Sequence, residues 1–307
     1  MACHLVVLVK QVPDTKRITG EAMREDGTVN RSALPAVFNP EDLNALEAAL
    51  GLRESCGGRV SVLTMGPPRA AEVLRAALQR GADEAVLLTD RRAAASDTLA
   101  TSYILARAVR RLGRETPVDM VLCGRQAIDG DTAQVPPQTA EKLGWPQVTY
   151  VEAVEQVADG RVRARRNTGE GFERVECPLP CLLTVTDQGP EPRPASAKRI
   201  MATKKCRAPA EIEMALRAEM PEADADTRAA EARRRADALA DRGRLIQQWN
   251  LDDIGADLSR CGRDGSPTKV KRIQSVVLAG TGFKKVEPTE QTVADMVHEL
   301  IEDHTIG

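Results

Sequence analysis

The sequence predicts an α/β fold: a doubly wound parallel sheet that carries an antiparallel extension and a long C-terminal arm. Two observations predict the parallel sheet. Short apolar runs lack the strict alternation of half-exposed strands, and each run is separated from the next by a segment with helical periodicity. A third observation, the change to a two-residue period after residue 147, predicts the antiparallel extension.

The parallel strands are predicted at residues 4–9, 59–65, 85–89 and 118–123. Helical periodicity is found at residues 39–55, 67–84 and 96–113. Asn39 is a suitable N-cap for the first helix, with Pro40 at its first position, and Asp97 is a suitable N-cap for the third. Gly81 is expected to end the second helix in a left-handed conformation. Helices of this length between the strands predict that both faces of the sheet are covered.

The chain changes character twice after residue 147. Asp159-Gly160 lies between two alternating runs and predicts a hairpin, with a last strand at 181–186. Residues 1–187 are therefore predicted to form one α/β domain. Residues 188–307 are predicted to form an extended arm that contains a charge-dense helical insertion at about 210–244, broken near Pro221, and an amphipathic helix around 289–302.

Composition and charge argue against several classes of function. Lys and Arg number 43 against 45 Asp and Glu, so the formal net charge is only -2, which argues against nucleic acid or an anionic membrane as the main partner. The seven cysteines include no CxxC pair, and only three histidines accompany them, which argues against a structural zinc or iron–sulfur site. The N-terminal apolar run is too short to span a bilayer and lacks a cleavage site, so we expect a cytoplasmic protein without membrane insertion.

The segment VLCGRQAIDGDTAQVPPQTAEKLGWP, residues 121–146, is the best candidate for a ligand site. It passes from a buried strand to an amphipathic helix, and ligands of parallel sheets bind where strands end and helices begin. Pro136 and Pro137 are tolerated only in a first helical turn, so the helix should begin close to Gln134. The main-chain N–H groups of residues 132–135 would then cluster at a helix N-terminus and could bind a phosphate without a lysine.

Asp129 and Asp131 would repel a phosphate that they faced. We therefore assign them to capping the turn or to contacts with hydroxyls and amines of the same ligand, since too few oxygen ligands accompany them for Mg²⁺. A capped junction without any ligand would explain the Asp and Thr residues, but not Gln126 and Gln134. The other strand ends and helix starts supply further candidates at residues 9–11, 38–40, 65–67 and 96–98, and at Thr101. No GxGxxG, P-loop, Ser/His/Asp or Cys/His pattern is present.

Six segments closely resemble the β subunit of electron transfer flavoproteins: VLVKQVPD, FNPEDLNALEAAL, GPP, RGADEA, GRQAIDGDTAQVPPQTAEKLGWP and GSPTKV. The resemblance covers nearly all of residues 1–205 and resumes at about 245. It implies a flavodoxin-like, adenine-nucleotide-binding sheet and a heterodimer with an α subunit that carries FAD. It also implies electron transfer between dehydrogenases, such as an acyl-CoA dehydrogenase, and an acceptor that is a quinone oxidoreductase, ferredoxin or flavodoxin.

The resemblance leaves two nucleotides open. Simple members of the family hold AMP as a structural nucleotide, whereas electron-bifurcating members hold a second FAD that reacts with NADH, which would make the complex an NADH-oxidising enzyme. DGDTAQV resembles the bifurcating form of the phosphate turn, and SDTLATSYIL resembles a segment along the flavin, although plain N-capping would also explain Asp97 and Thr98. The cofactor-binding residues implied are Leu8, Val9, Lys10, Asn39, Met65, Gly66, Asp97, Thr98, Thr101, Gly124, Arg125, Gln126, Ile128, Asp129, Thr132, Ala133, Gln134 and Val135, with no catalytic side chain and no metal.

The sequence departs from the family pattern at two places. Val135-Pro136-Pro137 stands where a glycine is expected between valine and proline, which removes one N–H donor. The segment implied to recognise partner dehydrogenases has Ala197 in place of an anchoring leucine, and its residues are Glu191, Pro192, Arg193, Ala197 and Met201. A β subunit with AMP and no redox role remains an alternative, as does a stress-type ATP-binding module, against which residues 129–134 and GSPTKV argue.

Overall fold

The structure, a computed structural model, describes residues 2–14, 35–269 and 285–302. Residues 2–14 and 35–269 belong to one compact unit, and residues 285–302 belong to a second. The second unit contains helix α8 (Glu290–Glu302), where the sequence predicts an amphipathic helix. Val293, Val297 and Ile301 of this helix are exposed. Within the described ranges, every helix falls short of the length and hydropathy needed to cross a bilayer.

Among the described residues, nine strands form one sheet and two short strands form another. The strands are β1 (Cys3–Leu8), β2 (Gln11–Pro13), β3 (Ala36–Phe38), β4 (Gly58–Met65), β5 (Glu84–Leu88), β6 (Met120–Gly124), β7 (Gln147–Ala158), β8 (Arg161–Asn167), β9 (Phe172–Pro178), β10 (Cys181–Val185) and β11 (Gln247–Trp249). The large sheet has the order β11-β5-β4-β1-β6-β10-β7-β8-β9, and β2 and β3 form the antiparallel pair.

The helices of the compact unit are α1 (Pro40–Cys56), α2 (Ala71–Arg80), α3 (Thr98–Leu112), α4 (Val135–Leu143), α5 (Ala197–Thr203), α6 (Pro209–Glu219) and α7 (Ala225–Ala240). Helices α1 and α2 pack on one face of the sheet, and α3 and α4 pack on the other. All six residues of β1 are buried because side chains on both of its faces are covered. The predicted doubly wound parallel sheet is confirmed.

The antiparallel extension is also confirmed, on the same sheet. The first residues of β7 pair in parallel with β10, and the rest of this long strand pairs antiparallel with β8. β9 continues the antiparallel order at the edge. Asp159 and Gly160 turn between β7 and β8 with φ of 51° and 71°, the left-handed conformations that the Asp-Gly pair favours.

The chain after residue 187 returns to the compact unit, so the boundary predicted there does not coincide with the limits of that unit. β11 adds a parallel strand next to β5, from Gln247 opposite Val86 to Trp249 opposite Leu88. The charged insertion is a pair of helices, α6 and α7, that is interrupted between residues 219 and 225 as Pro221 predicts. An ion pair of 2.7 Å between Arg75 and Glu211 joins α6 to α2.

Candidate functional site

The N-terminus of α1 lies against the carboxyl ends of β1 and β6. Asn39 precedes this helix, but its side chain makes no capping hydrogen bond. Its amide Nδ2 instead donates to the carbonyl of Gln126 over 2.9 Å, and its Oδ1 accepts the main-chain N–H of Ile128 over 3.2 Å. Because Asn39 is fully buried, its amide positions the loop after β6 and is not open to a ligand.

Asp42 joins the ends of the two strands. One carboxylate oxygen accepts the main-chain N–H of Lys10 and the other accepts that of Gly124, each over 2.8 Å. Burial raises the pKa of Asp42 to about 7, against the opposite effect of the two main-chain donors. The strand ends are therefore linked through a buried carboxyl group.

Gly124 ends β6 where only a glycine fits. A Cβ at this position would lie 2.6 Å from Oδ1 of Asp42, 2.8 Å from Cβ of Glu41 and 2.9 Å from the main-chain N of Asp42. Two of these three atoms belong to Asp42 or its main chain, so the clash cannot be relieved by a flexible side-chain end. Glycine thus allows the close approach of α1 to the strand end.

Glu41 contacts the residues that follow Gly124. Its Oε2 accepts the main-chain N–H of Gln126 over 3.0 Å, and its Oε1 lies 3.1 Å from the guanidinium of Arg125. The guanidinium also lies over the ring of Tyr150, 5.4 Å from its centroid. The first turn of α1 therefore positions the whole start of the loop that leads to α4.

The middle of this loop is a tight turn. The main-chain N–H groups of Gly130 and Asp131 both donate to the carbonyl of Ala127. The carboxylate of Asp129 forms a 2.7 Å ion pair with Lys10, which follows β1. Capping of the turn and ligand contact were the predicted roles of Asp129, and the ion pair adds a link between two strand ends.

The amides of residues 132–135 are available to a ligand. In the part of the chain that the structure describes, no acceptor receives the N–H of Thr132, Ala133, Gln134 or Val135. α4 begins at Val135, next to Gln134 as predicted, with the two prolines at its second and third positions. Asp131 and Ala133 both have φ of 51°, and Gln134, after Ala133, has helical angles. A left-handed residue next to a right-handed one is typical of main-chain turns that bind anions. This arrangement fits a phosphate.

The N-terminus of α3 lies beside that of α4. The hydroxyl of Thr98 donates to Oε1 of Gln134 over 3.0 Å. Asp97 caps α3 by accepting the N–H of Ala100 over 2.9 Å, and its other oxygen accepts the N–H of Thr268 at the same distance. The carboxylate of Asp97 thus has two main-chain donors, whereas Thr98 faces the neighbouring helix start.

The remaining predicted cofactor-binding residues lie along the same edge of the sheet. Leu8 ends β1, Val9 follows it, and both are buried, whereas Ile128 is 38% exposed. Met65 ends the adjacent strand β4, Gly66 follows it, and Thr101 lies one turn into α3. The predicted residues therefore come from neighbouring strand ends and helix starts of one sheet edge.

The residues predicted for partner recognition belong to a different segment, between β10 and α5. Arg193 forms ion pairs with Glu47 and Glu54 of α1, which position this segment. Ala197 begins α5, and the side chain of Met201 is 62% exposed. Glu191 is exposed and Pro192 is half-buried.

Sequence reasoning missed the structural roles of Glu41 and Asp42. Two acids in a first helical turn are ordinarily explained by the helix dipole, so they carried no signal of a link to the strand ends. Ser266, whose hydroxyl accepts the N–H of Asp97 over 2.8 Å, was missed as well. It lies 169 residues away in sequence, and only its place within GSPTKV could have indicated it.

Comparisons with known proteins show which proteins this chain is similar to. Residues 26–213 match the family described as the electron transfer flavoprotein domain. The chain is 47% identical over 303 residues to the electron transfer flavoprotein subunit beta of Thermoanaerobacterium thermosaccharolyticum, covering 99% of this chain and 100% of that one. It is 41% identical over 301 residues to protein FixA of Bradyrhizobium diazoefficiens, covering 97% and 91%.

A third relative is subunit CarD of the caffeyl-CoA reductase-Etf complex of Acetobacterium woodii. It is 39% identical over 305 residues, covering 99% of this chain and 100% of that one. Full-length relatives and a family match over more than half of the chain lead to one conclusion: this chain belongs to the electron transfer flavoprotein family, as a β subunit.

Proposed function

We propose that this β subunit binds FAD, rather than AMP, at the carboxyl edge of its sheet, as part of an electron-bifurcating complex. The observation that carries the proposal is the 3.0 Å hydrogen bond between Thr98 and Gln134. This bond brings the N-termini of α3 and α4 side by side. Two adjacent helix N-termini suit the two phosphates of FAD, whereas AMP has one phosphate and needs one such site.

The residues of the proposed site have separate roles. The amides of residues 132–135 would bind one phosphate, and the start of α3 at Thr98 and Thr101 would bind the second phosphate and the ribityl chain. Leu8 and the exposed side chain of Ile128 would contact the adenine. Asn39 would act indirectly, because its amide is already bonded to the loop.

Bound FAD would supply hydride acceptance from NADH and transfer of single electrons to the α subunit and to a low-potential acceptor. The chain itself supplies binding and orientation. Aromatic residues make up 2% of the sequence, so the groups that contact the flavin ring would be aliphatic or would come from the α subunit. We assign no side chain of this subunit a catalytic role.

The proposed partners are the FAD-carrying α subunit, a dehydrogenase or reductase, and a ferredoxin, flavodoxin or quinone oxidoreductase. The CarD relative, a subunit of a caffeyl-CoA reductase-Etf complex, supports a complex with a reductase of CoA-linked substrates. The segment of residues 191–201 would contact the dehydrogenase, and the arm beyond residue 188 would pack on the α subunit. We place the complex in the cytoplasm.

AMP remains the second candidate because Pro136 and Pro137 leave α4 few N–H donors. The test is to purify the α/β complex, denature it and count the released nucleotides. Two FAD per heterodimer and no AMP support the proposal. One FAD and one AMP per heterodimer would overturn it in favour of an AMP-binding structural subunit. The variant Thr98→Val should lower the FAD content, whereas Thr227→Val on exposed helix α7 should not.

A further inference from the structure

Three residues at the start of α1 position the nucleotide edge of the sheet. We name Asn39, Glu41 and Asp42 the α1 clasp. Asn39 and Glu41 bind the loop after β6, and Asp42 binds the ends of β1 and β6. All three are buried, with side chains directed at main-chain groups. Because this loop continues to residues 132–135, the clasp holds the start of the segment that leads to the proposed phosphate site.

We propose that Asp42 is a positioning residue of the nucleotide site, and that its negative charge keeps the ends of β1 and β6 in the arrangement that binds nucleotide tightly. This inference rests on the proposed function, because it concerns the affinity of the same site. It adds a dependence of nucleotide affinity on pH that comes from a residue with no contact to the ligand.

The hydrogen bonds of Asp42 require the ionised carboxyl group. Each of its two oxygens accepts one main-chain N–H, from Lys10 and from Gly124. A proton on either oxygen would point a second donor at an N–H group or leave that oxygen a weaker acceptor. Protonation should therefore weaken the link at one strand end, and the tight contact at Gly124 leaves little room for the carboxyl group to turn away.

Burial makes this protonation accessible near neutral pH. The pKa of Asp42 is raised to about 7, with burial as the main cause and the negative charge of neighbouring Glu41 as a smaller one. Hydrogen bonds from the N–H groups of Gly124 and Lys10 and from the side chain of Asn39 act in the opposite direction. The charge of Glu41 is itself paired with Arg125, and the ammonium group of Lys10 is paired with Asp129.

The thiol of Cys123, next to Gly124 in β6, is a further titratable group on which the charge of Asp42 acts. Burial, together with the charges of Asp42 and Glu41, raises the pKa of this thiol well above its usual range. Cys123 therefore stays neutral across the neutral range. The carboxyl group of Asp42, in contrast, has a pKa of about 7.

The size of the effect follows from the fraction of molecules with an ionised Asp42. With a pKa of about 7, this fraction falls about tenfold between about pH 8 and about pH 6. If the ionised form is the one that binds tightly, the apparent dissociation constant rises by up to about tenfold over the same range. FAD is a suitable probe because neither its pyrophosphate nor its adenine titrates in this range.

The experiment measures FAD affinity of the α/β complex, stripped of the β-site nucleotide, at about pH 6 and about pH 8. Wild-type complex should bind up to about tenfold more weakly at the lower pH. Asp42→Asn offers one acceptor and one donor, as the protonated acid does, so it should bind weakly at both values. Asp237→Asn, an exposed change on α7, should keep the wild-type pH dependence.

The outcomes separate the inference from the proposed function. Wild-type binding that does not change between the two pH values overturns the inference, as does a pH dependence that Asp42→Asn retains. Wild-type complex that binds neither FAD nor AMP at this site overturns the proposed function and the inference with it. If Asp42→Asn fails to fold, the pH dependence of the wild-type complex alone decides, since its absence is sufficient to reject the role of Asp42.

Discussion

The close approach of α1 to the end of β6 gives a prediction about Gly124. In Gly124→Ala the new Cβ would lie 2.6 Å from Oδ1 of Asp42 and 2.9 Å from its main-chain N. Relieving such contacts by moving packed groups costs about 1–3 kcal/mol. Displacing Asp42 would also weaken its bond to the N–H of residue 124, at about 0.5–1.5 kcal/mol. We therefore expect a total loss of about 2–4 kcal/mol of unfolding free energy.

Gly51 provides a matched control for this substitution. It lies within α1, and a Cβ there would meet no atom within 4 Å. Gly51→Ala should stabilise the protein by about 0.5–1 kcal/mol, because glycine is a poor residue for a helix interior. Thermal unfolding of the α/β complex should thus show a lower apparent melting temperature for Gly124→Ala and a higher one for Gly51→Ala. Equal stability of Gly124→Ala and the wild type would refute the reasoning about this contact.

Three further predictions concern other contacts. Between about pH 4 and its pKa of about 7, Asp42 is protonated in the folded chain but ionised in the unfolded chain. The free energy of unfolding should therefore fall by about 2–3 kcal/mol from about pH 5 to about pH 8 and then level off. Chemical denaturation at a series of pH values should show a smaller fall for Asp42→Asn. Glu211→Gln leaves the half-buried Arg75 without its ionic partner and should lower the free energy of unfolding by up to about 3–5 kcal/mol. Hydrogen exchange should show faster opening of α6. Unchanged exchange would contradict an anchoring role of this ion pair. Thr98→Val removes the bond to Gln134 and should weaken FAD binding with little change in melting temperature; undiminished binding would argue against a shared phosphate site.

Much of the fold could be predicted because its signals are local. The apolar runs that became β1, β4, β5 and β6 are buried on both faces, and Asp159-Gly160 turns as its sequence favours. The edge strand β11 could not be predicted in this way. It has three residues, it follows a charged insertion, and its place beside β5 depends on pairing with residues about 160 positions earlier.

The start of α4 in the candidate site could be predicted, but the internal contacts of the site could not. Pro136 and Pro137 fix the start of α4 through steric limits that act within one turn, so the sequence predicts the amide cluster. The role of Asp42 depends on two main-chain groups, at residues 10 and 124, that come together only in the folded sheet. A carboxylate in a first helical turn has the same local sequence signal whether it lies in solvent or beneath a strand end.

The contacts at Asn39 show the same limit. Its position before Pro40 predicts a helix cap, which is its place in the chain, yet its amide bonds to Gln126 and Ile128 instead. Asn39→Asp would keep the acceptor for Ile128 and lose the donor to Gln126. Contacts of this kind depend on tertiary packing, and a spacing rule within one segment carries no information about it.

A crystal structure of the α/β complex with its natural nucleotide would test the central idea most directly. We predict phosphate oxygens within hydrogen-bonding distance of the main-chain N–H groups of residues 132–135, with a second phosphate at the start of α3. The account would be contradicted if side chains filled the space before these amides while the nucleotide bound at another part of the subunit.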